Sequence, residues 1–557
     1  MSGPNPSDRA RAYHERTKHQ PGRSAAGPHG LDWANKPDPF RTWVDAQTVA
    51  LPLPAVGLAT TYADCLRPGA VRARPINLES VAVLFELSLG LAAWKSVGPQ
   101  RWALRCNPSS GNLHPTEGYL VCPSVDGLAG GVYHYNSGEH VLELRARPDP
   151  GAWSRAWQDR TSGQDSGEDK YRPRGVLVGL SSIHWREAWK YGERAYRYCQ
   201  LDVGHAVGAF SYAAAALGWQ ARCLLHWGDD DISRLLGLPR DEADNAPDAE
   251  SPELLLCIGP ETAAPPAASL LDGLHEASWE GVPNRLSARR RIWDVIPEVA
   301  QACRLPGDAK RHATGWRPAG LPPLTPTRSV LAARLIRQRR SAQAYDGVTH
   351  MAAADFFRLL DATLPREGVP PLAPLGWEPR VHLLLFVHRV EGVSPGLYLL
   401  PRRPGVVETL RPALDPEHSF EPVPGAPDHL PLVRLQRLDV RDLAAALSCQ
   451  QDIAGDSAFA VGMVAELEYG LDRGPWWYRR LYWEAGAVGQ ALYLDAEAVG
   501  LRGTGIGCFY DDPVHRLLGL PDGRFQSLYH FTVGSPIKDR RLATHPPYAH
   551  LERFTTS

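Results

Sequence analysis

The chain carries the same pattern twice. Residues 202–238 read DVGHAVGAFSYAAAALGWQARCLLHWGDDDISRLLGL, and residues 484–520 read EAGAVGQALYLDAEAVGLRGTGIGCFYDDPVHRLLGL. Gly204 aligns with Gly486, Gly218 with Gly500, Asp230 with Asp512 and Leu238 with Leu520, each pair 282 positions apart with no gap. A period this long means two copies of a whole domain, not a short-repeat solenoid. The copies differ in the polar motifs they retain, and what one lacks the other supplies.

With 557 residues the chain is long enough for two or more full cores. Its 43% hydrophobic and 22% charged composition is that of a soluble globular protein. A net charge of −2 and a pI near 6.9 give no global field for nucleic acid or an anionic membrane. The N-terminal MSGPNPSDRARAYHERTKH is polar and lacks the apolar stretch of a secretion signal. No run reaches the roughly 18 apolar residues of a membrane span. The expected location is the cytoplasm. The nine cysteines are odd in number and form no CxxC, which argues against a disulfide framework or a metal site. Most read as small buried hydrophobes.

Residues 1–50 read as an irregular Pro-rich arm, 51–260 as the first copy, 261–325 as a linker with one or two helices, 326–545 as the second copy and 546–557 as a tail. In the first copy, spacing predicts a helix from Leu78 to Trp94. Strands are expected near Gly118–Val121, Gly131–Tyr135, Val176–Leu180 and Leu254–Gly259, and a long helix from Ala188 to Leu217. The small residues Gly204, Ala206 and Ala209 suit that helix to close packing on another. In the second copy, strands are expected at His382–Val387, Gly396–Leu400 and Tyr529–Val533, and a long helix at Trp477–Val499. Alternating strands and long helices give an α+β fold, sheets covered by helices.

The first copy holds Pro108-Ser109-Ser110-Gly111-Asn112, a loop able to offer backbone N–H groups, hydroxyls and an amide to a polar heterocycle or phosphate. The second copy has no such loop: PLGWEPRVHLLLF (374–386) runs straight into a strand. The second copy instead holds Arg339-Arg340-Ser341 after a helical stretch, and Lys538, Arg540 and Arg541 near its end. Guanidinium forks and a hydroxyl suit phosphate oxygens. Gly503 to Gly507 follows a helix rather than a strand, which rules out a dinucleotide-binding fingerprint. The acidic pairs Asp229-Asp230 and Asp511-Asp512 precede apolar helices and read as N-caps. His205 reads as a core or interface histidine.

The segments PSSGNLHPTEGY, RRSAQAYDG, GHAVGAFSYAAAALG and GLRGTGIGCFYDD resemble the flavin-dependent nitroreductase superfamily. YHERTKH and WKYGERAYRYCQLDVGHA (189–206) are similar to its SagB/ThcOx-type dehydrogenases, which include azoline oxidases of peptide natural-product pathways. The resemblance implies two nitroreductase-like domains, 51–260 and 326–545, folded as an intramolecular pseudodimer that needs no second subunit. It implies FMN in a site shared between the copies. Arg339, Arg340, Ser341, Lys538 and Arg540 would hold its phosphate, and Gly505, Ile506 and Gly507 would lie near the ring. Pro108, Ser109, Ser110, Gly111 and Asn112 would come from the other copy. A second site would need the phosphate ligands of the first copy and a Pro-Ser loop in the second, both missing, so one FMN per chain is expected.

The same resemblance makes Lys190 and Tyr191 the catalytic candidates, removing a proton while hydride passes to the flavin. The residues alone read as a snorkelling lysine beside a packing tyrosine. The second copy has Pro475-Trp476-Trp477-Tyr478 there instead. The implied function is a dehydrogenase with oxygen as acceptor, acting on an azoline-type or related peptide alongside peptide-modifying partner enzymes. An NAD(P)H-dependent nitro or quinone reductase and a non-catalytic flavin-binding scaffold remain as alternatives.

Overall fold

The computed structural model describes residues 5–158, 174–238, 248–260, 267–307, 316–326, 328–520 and 523–551. Long uninterrupted apolar runs such as VLVGL and HLLLFV become sheet strands buried on both faces. Each copy builds one main antiparallel sheet around such strands. Six strands of the first run, in order, Val141–Arg147, Gly131–Asn136, Thr116–Cys122, Val176–Ser182, Ser251–Gly259 and Gln220–Cys223, with the short Thr48–Ala50 and Ser278–Trp279 added on Val141–Arg147. Six of the second run Val433–Arg437, Gly396–Leu400, Val381–Val387, Phe459–Glu466, Phe525–Gly534 and Arg502–Ile506, with Glu421–Pro422 at the edge. The order of these six is the same in both, so the repeat seen in one stretch of sequence extends through the sheets. Each sheet is faced by a long central helix, Ala195–Ala216 in the first copy and Trp477–Ala498 in the second. The fold is α+β, two like halves forming an intramolecular pseudodimer.

The central helices are buried nearly all round because they pack on each other as well as on their sheets. They cross at the aligned glycines. A Cβ on Gly204 would run into the Trp483 carbonyl, and one on Gly486 into the Leu201 carbonyl. Leu201 and Trp483 are themselves 282 positions apart, so the crossing is isologous, like the two-fold interface of a dimer.

The helices that precede each copy are exchanged. Pro6–Arg16 runs beside the second copy: Ser7 Oγ donates to Leu471 O and Arg11 pairs with Glu468. The chain after it bonds reciprocally to the second copy, His19 N to the Asp511 carboxylate and Asp511 N to His19 O. Val295–Ala302 does the same on the first copy, with Leu305 N on the Asp229 carboxylate and Asp229 N on Leu305 O. The helix Val295–Ala302, in the segment read as a linker, is thus the counterpart of Pro6–Arg16 in the N-terminal arm.

The structure corrects several expectations. The helix expected over Leu78–Trp94 ends at Glu86, and Leu91–Val97 is a strand paired with Gln100–Arg105. The helix expected from Ala188 is broken at Gly192, whose φ of 55° and close fit against the Ala26 carbonyl end His184–Tyr191 before the central helix begins. Asp229 and Asp511 are not N-caps. Each is buried against arginines of the other copy, Asp229 on Arg479, and Asp511 on Arg194 and Arg197. The second copy ends in a strand, Ala543–His545, that joins Leu91–Val97, and the start of the region expected as a tail packs beside it, Leu91 N donating to the Tyr548 hydroxyl. Among the described residues, no helix is long and apolar enough to cross a membrane.

Candidate functional site

A cleft of about 710 Å³ opens on the seam between the copies. Its walls include Pro108–Asn112 from the first copy and Arg339–Ser341, Gly505–Gly507 and Lys538 from the second. Tyr191 lines it as well. Two other expected residues stand apart. Arg540 is exposed, and the wall passes from Asp539 to Leu542 without it. Lys190 sits behind the loop, its amine 3.1 Å from where a Cβ on Gly111 would stand. A larger opening of about 1010 Å³, between the Val295–Ala302 helix and the first copy, contains none of the expected residues.

The Pro-Ser loop is fastened from several sides. Ser110 donates through its backbone N–H and its hydroxyl to Asp202 Oδ1 at 3.1 and 3.2 Å. Ser109 Oγ accepts from His114 N at 2.8 Å, and Asn112 Nδ2 donates to Ala103 O at 2.8 Å. Gly111 has φ of 60°, and a Cβ there would lie 2.6 Å from the Tyr191 hydroxyl. Only glycine lets the loop lie directly on Tyr191.

The opposite wall is organised by Tyr493 on the second central helix. Its hydroxyl meets Ser341 Oγ at 2.8 Å and accepts from Gly505 N at 2.9 Å. Arg339, at the end of the helix Ala332–Gln338, lies 4.9 Å over the Tyr493 ring and donates to the Cys106 carbonyl across the seam at 3.3 Å. His205, Gln490 and Tyr529 form a chain at the floor, at 3.3 and 3.1 Å.

The electrostatics separate this cleft from the rest of the interior. Most buried arginines are neutralised: Arg186 by Glu117, Arg479 by Asp229, Arg402 by Glu484. Around the cleft, burial holds Arg339 below its usual range and brings Arg105 and Arg340 down to about 10. Among the described residues, none of these three forms an ion pair. Lys95, also in the wall, is lowered by burial and by Arg340. Unpaired buried cations are costly, so such a cluster favours an anion. Asn107 Oδ1, His114 Nδ1 and Asp202 Oδ2 are buried without a hydrogen-bond partner along the same walls. These cationic and polar groups suit a ligand that combines a phosphate with a polar heterocycle.

Asp202 is the main residue that the sequence reading missed. Burial raises its carboxyl to about 7, against the pull of bonds from Ser109 and Ser110. Behind it Glu187 is buried with both carboxylate oxygens unpartnered, and burial followed by Asp202 raises it well above the usual range. Burial likewise raises Tyr191, so its phenol keeps its proton at neutral pH. The signal for Asp202 was in the repeat: it aligns with Glu484. Glu484 grips the corresponding stretch of the second copy, accepting from the backbone N–H groups of Arg380 and Val381 and pairing with Arg402.

That grip accounts for the other half of the pseudodimer. Cys223, the counterpart of Gly505, donates its N–H to Pro374 O at 2.9 Å. Where the first copy presents an open Pro-Ser loop, the second folds residues 374–380 inward.

Comparison with known proteins agrees with this architecture. The chain matches the model of the nitroreductase family over residues 72–259 and 407–535. It is similar to the trifolitoxin-processing protein TfxB of Rhizobium leguminosarum bv. trifolii, 33% identical over 117 residues. That match spans 20% of this chain and 29% of the relative, less than a third of its length. A crystal structure described as a nitroreductase of Anabaena variabilis superposes with a TM-score of 0.66 at 22% identity, covering 95% of this chain and 99% of that one. The duplicated fold is therefore shared along the full length of another chain. With more than half of its residues matched by the family model, the chain belongs to the nitroreductase family, a family of oxidoreductases.

Proposed function

We propose that the chain is an FMN-dependent dehydrogenase that binds one flavin in the seam cleft and oxidises an azoline-type or related peptide. The observation that carries the cofactor assignment is the group of unpaired guanidiniums facing the cleft, Arg105 and Arg339 buried and Arg340 half-buried. Arg339, Arg340, the Ser341 hydroxyl and Lys538 would hold the phosphate. The Pro108–Asn112 loop and Gly505–Gly507 would enclose the ring from opposite walls. Bound FMN supplies a two-electron acceptor that oxygen regenerates.

The proton is the business of the protein. From the motif resemblance, Lys190 is the group that accepts it; its Nζ stands behind the Pro-Ser loop, 5.1 Å from the ring of Tyr191, which lines the cleft. Tyr191, its phenol kept protonated by burial, serves as a relay rather than as a base. The peptide substrate class rests on the motif resemblance and on the similarity to a trifolitoxin-processing protein.

Titration of the apo-protein with FMN and with riboflavin tests the cofactor assignment. Arg340→Met should weaken FMN by about 10- to 100-fold, the worth of one charge-assisted hydrogen bond, and leave riboflavin unchanged. Equal loss for both ligands would remove the phosphate assignment. Lys190→Ala should keep its flavin and lose turnover; full turnover in that variant would remove the catalytic role.

A further inference from the structure

Seven of the nine cysteines are buried; the other two, Cys449 and Cys508, are half-buried and exposed respectively, and adjacent. Their sulfurs lie 2.7 Å apart. Cys508 lines the cleft directly after Gly507, and Gln451, two residues past Cys449, lines it as well. The two segments are tied independently of the sulfurs. Gln451 Nε2 donates to Cys508 O at 3.0 Å and to Ser448 O at 2.7 Å, and Tyr510 N donates to Leu447 O at 2.8 Å. Cys449 and Gln450 are both left-handed, with φ of 55° and 59°, a conformation that costs a non-glycine residue roughly 1 kcal/mol or more. That turn delivers the Cys449 sulfur onto Cys508.

We propose that Cys449 and Cys508 are a thiol–disulfide exchange site that reacts with a small-molecule disulfide of the glutathione type and closes reversibly at the cleft mouth. Cys508 is suited to attack first. The neighbouring Cys449 thiol brings it down to about 7, Arg194 assists, and burial opposes them, while Cys449 is raised in return. The Cys508 thiolate attacks one sulfur of glutathione disulfide, forming a mixed disulfide and expelling one glutathione thiolate, which takes up the proton Cys508 lost. Cys449 then gives up its proton and attacks Cys508 Sγ. The mixed bond breaks, and the second glutathione leaves with that proton. Two protein thiols are oxidised, one glutathione disulfide is reduced to two thiols, and no other oxidant is needed. The closed bond fastens the 448–451 turn to the strand end carrying Gly505–Gly507, so the state of the pair is linked to the wall of the cleft.

The test is thiol counting on the intact native protein in glutathione buffers, with linkage read by peptide mapping after alkylation. Reduced protein should take up two maleimides quickly, at Cys449 and Cys508. After excess glutathione disulfide it should take up none, and the map should show the 449–508 crosslink without bound glutathione. Cys449→Ser should instead stop at a stable glutathione adduct on Cys508. A wild-type protein that retains glutathione on Cys508, or whose two thiols both stay free under excess glutathione disulfide, overturns the proposal.

Discussion

At the scale of single residues, Asp202 is where structure and chemistry conflict most visibly. Its carboxyl titrates near 7 in the folded chain and near 3.8 in an unfolded one, because burial disfavours the charge. Between those values the unfolded chain has lost a proton that the native chain keeps. Stability due to this group is therefore highest below about pH 4 and falls as pH rises toward 7, by a few kcal/mol in all. Asp202→Asn should flatten that fall in urea titrations compared across pH 4 to 8; an identical slope in the variant would contradict the assignment. Gly111→Ala should disturb the cleft without unfolding the chain. With φ of 60° and Tyr191 beneath it, the change costs about 1–3 kcal/mol locally and should weaken flavin binding more than it lowers the melting temperature. The sequence exposed Gly111 through its motif. It hid the importance of Asp202 apart from the alignment with Glu484, because a carboxylate within a buried helix acquires its role from the loop folded over it.

At the scale of elements, the crossing of the two central helices holds the halves together. Gly486→Val pushes a branched side chain into the Leu201 carbonyl and should cost about 3 kcal/mol or more, lowering the melting temperature while the secondary structure survives. A variant as stable as the parent would mean that the helices do not meet there. Elements built on long apolar runs were legible from sequence: Val176–Ser182, Val381–Val387 and the second central helix lie where periodicity puts them. The break at Gly192 and the strand at Leu91–Val97 were not, because each depends on a distant partner: the Ala26 carbonyl for one, and for the other Ala543–His545, which pairs with the Leu91–Arg105 hairpin. The exchanged arm helices left even less trace. PSDRARAYHER and VIPEVAQA share a place in the fold, not a sequence pattern, and only their matching bonds to Asp511 and Asp229 reveal the relation.

For the whole molecule, duplication followed by divergence has turned two equivalent seams into one open cleft and one filled one. Unpaired guanidiniums and an open Pro-Ser loop meet at the first; at the second, Glu484 and Arg402 hold residues 374–380 inward, where Pro374 O accepts from Cys223 N. The most direct measurement is flavin per chain, taken from the visible absorption of the purified protein reconstituted with excess FMN and freed of unbound ligand. The asymmetry predicts a yellow protein carrying close to one equivalent. Two equivalents would mean that the inward-folded segment does not close the second seam, and a protein that stays colourless would mean that the cluster around Arg339 and Arg340 serves some other anion.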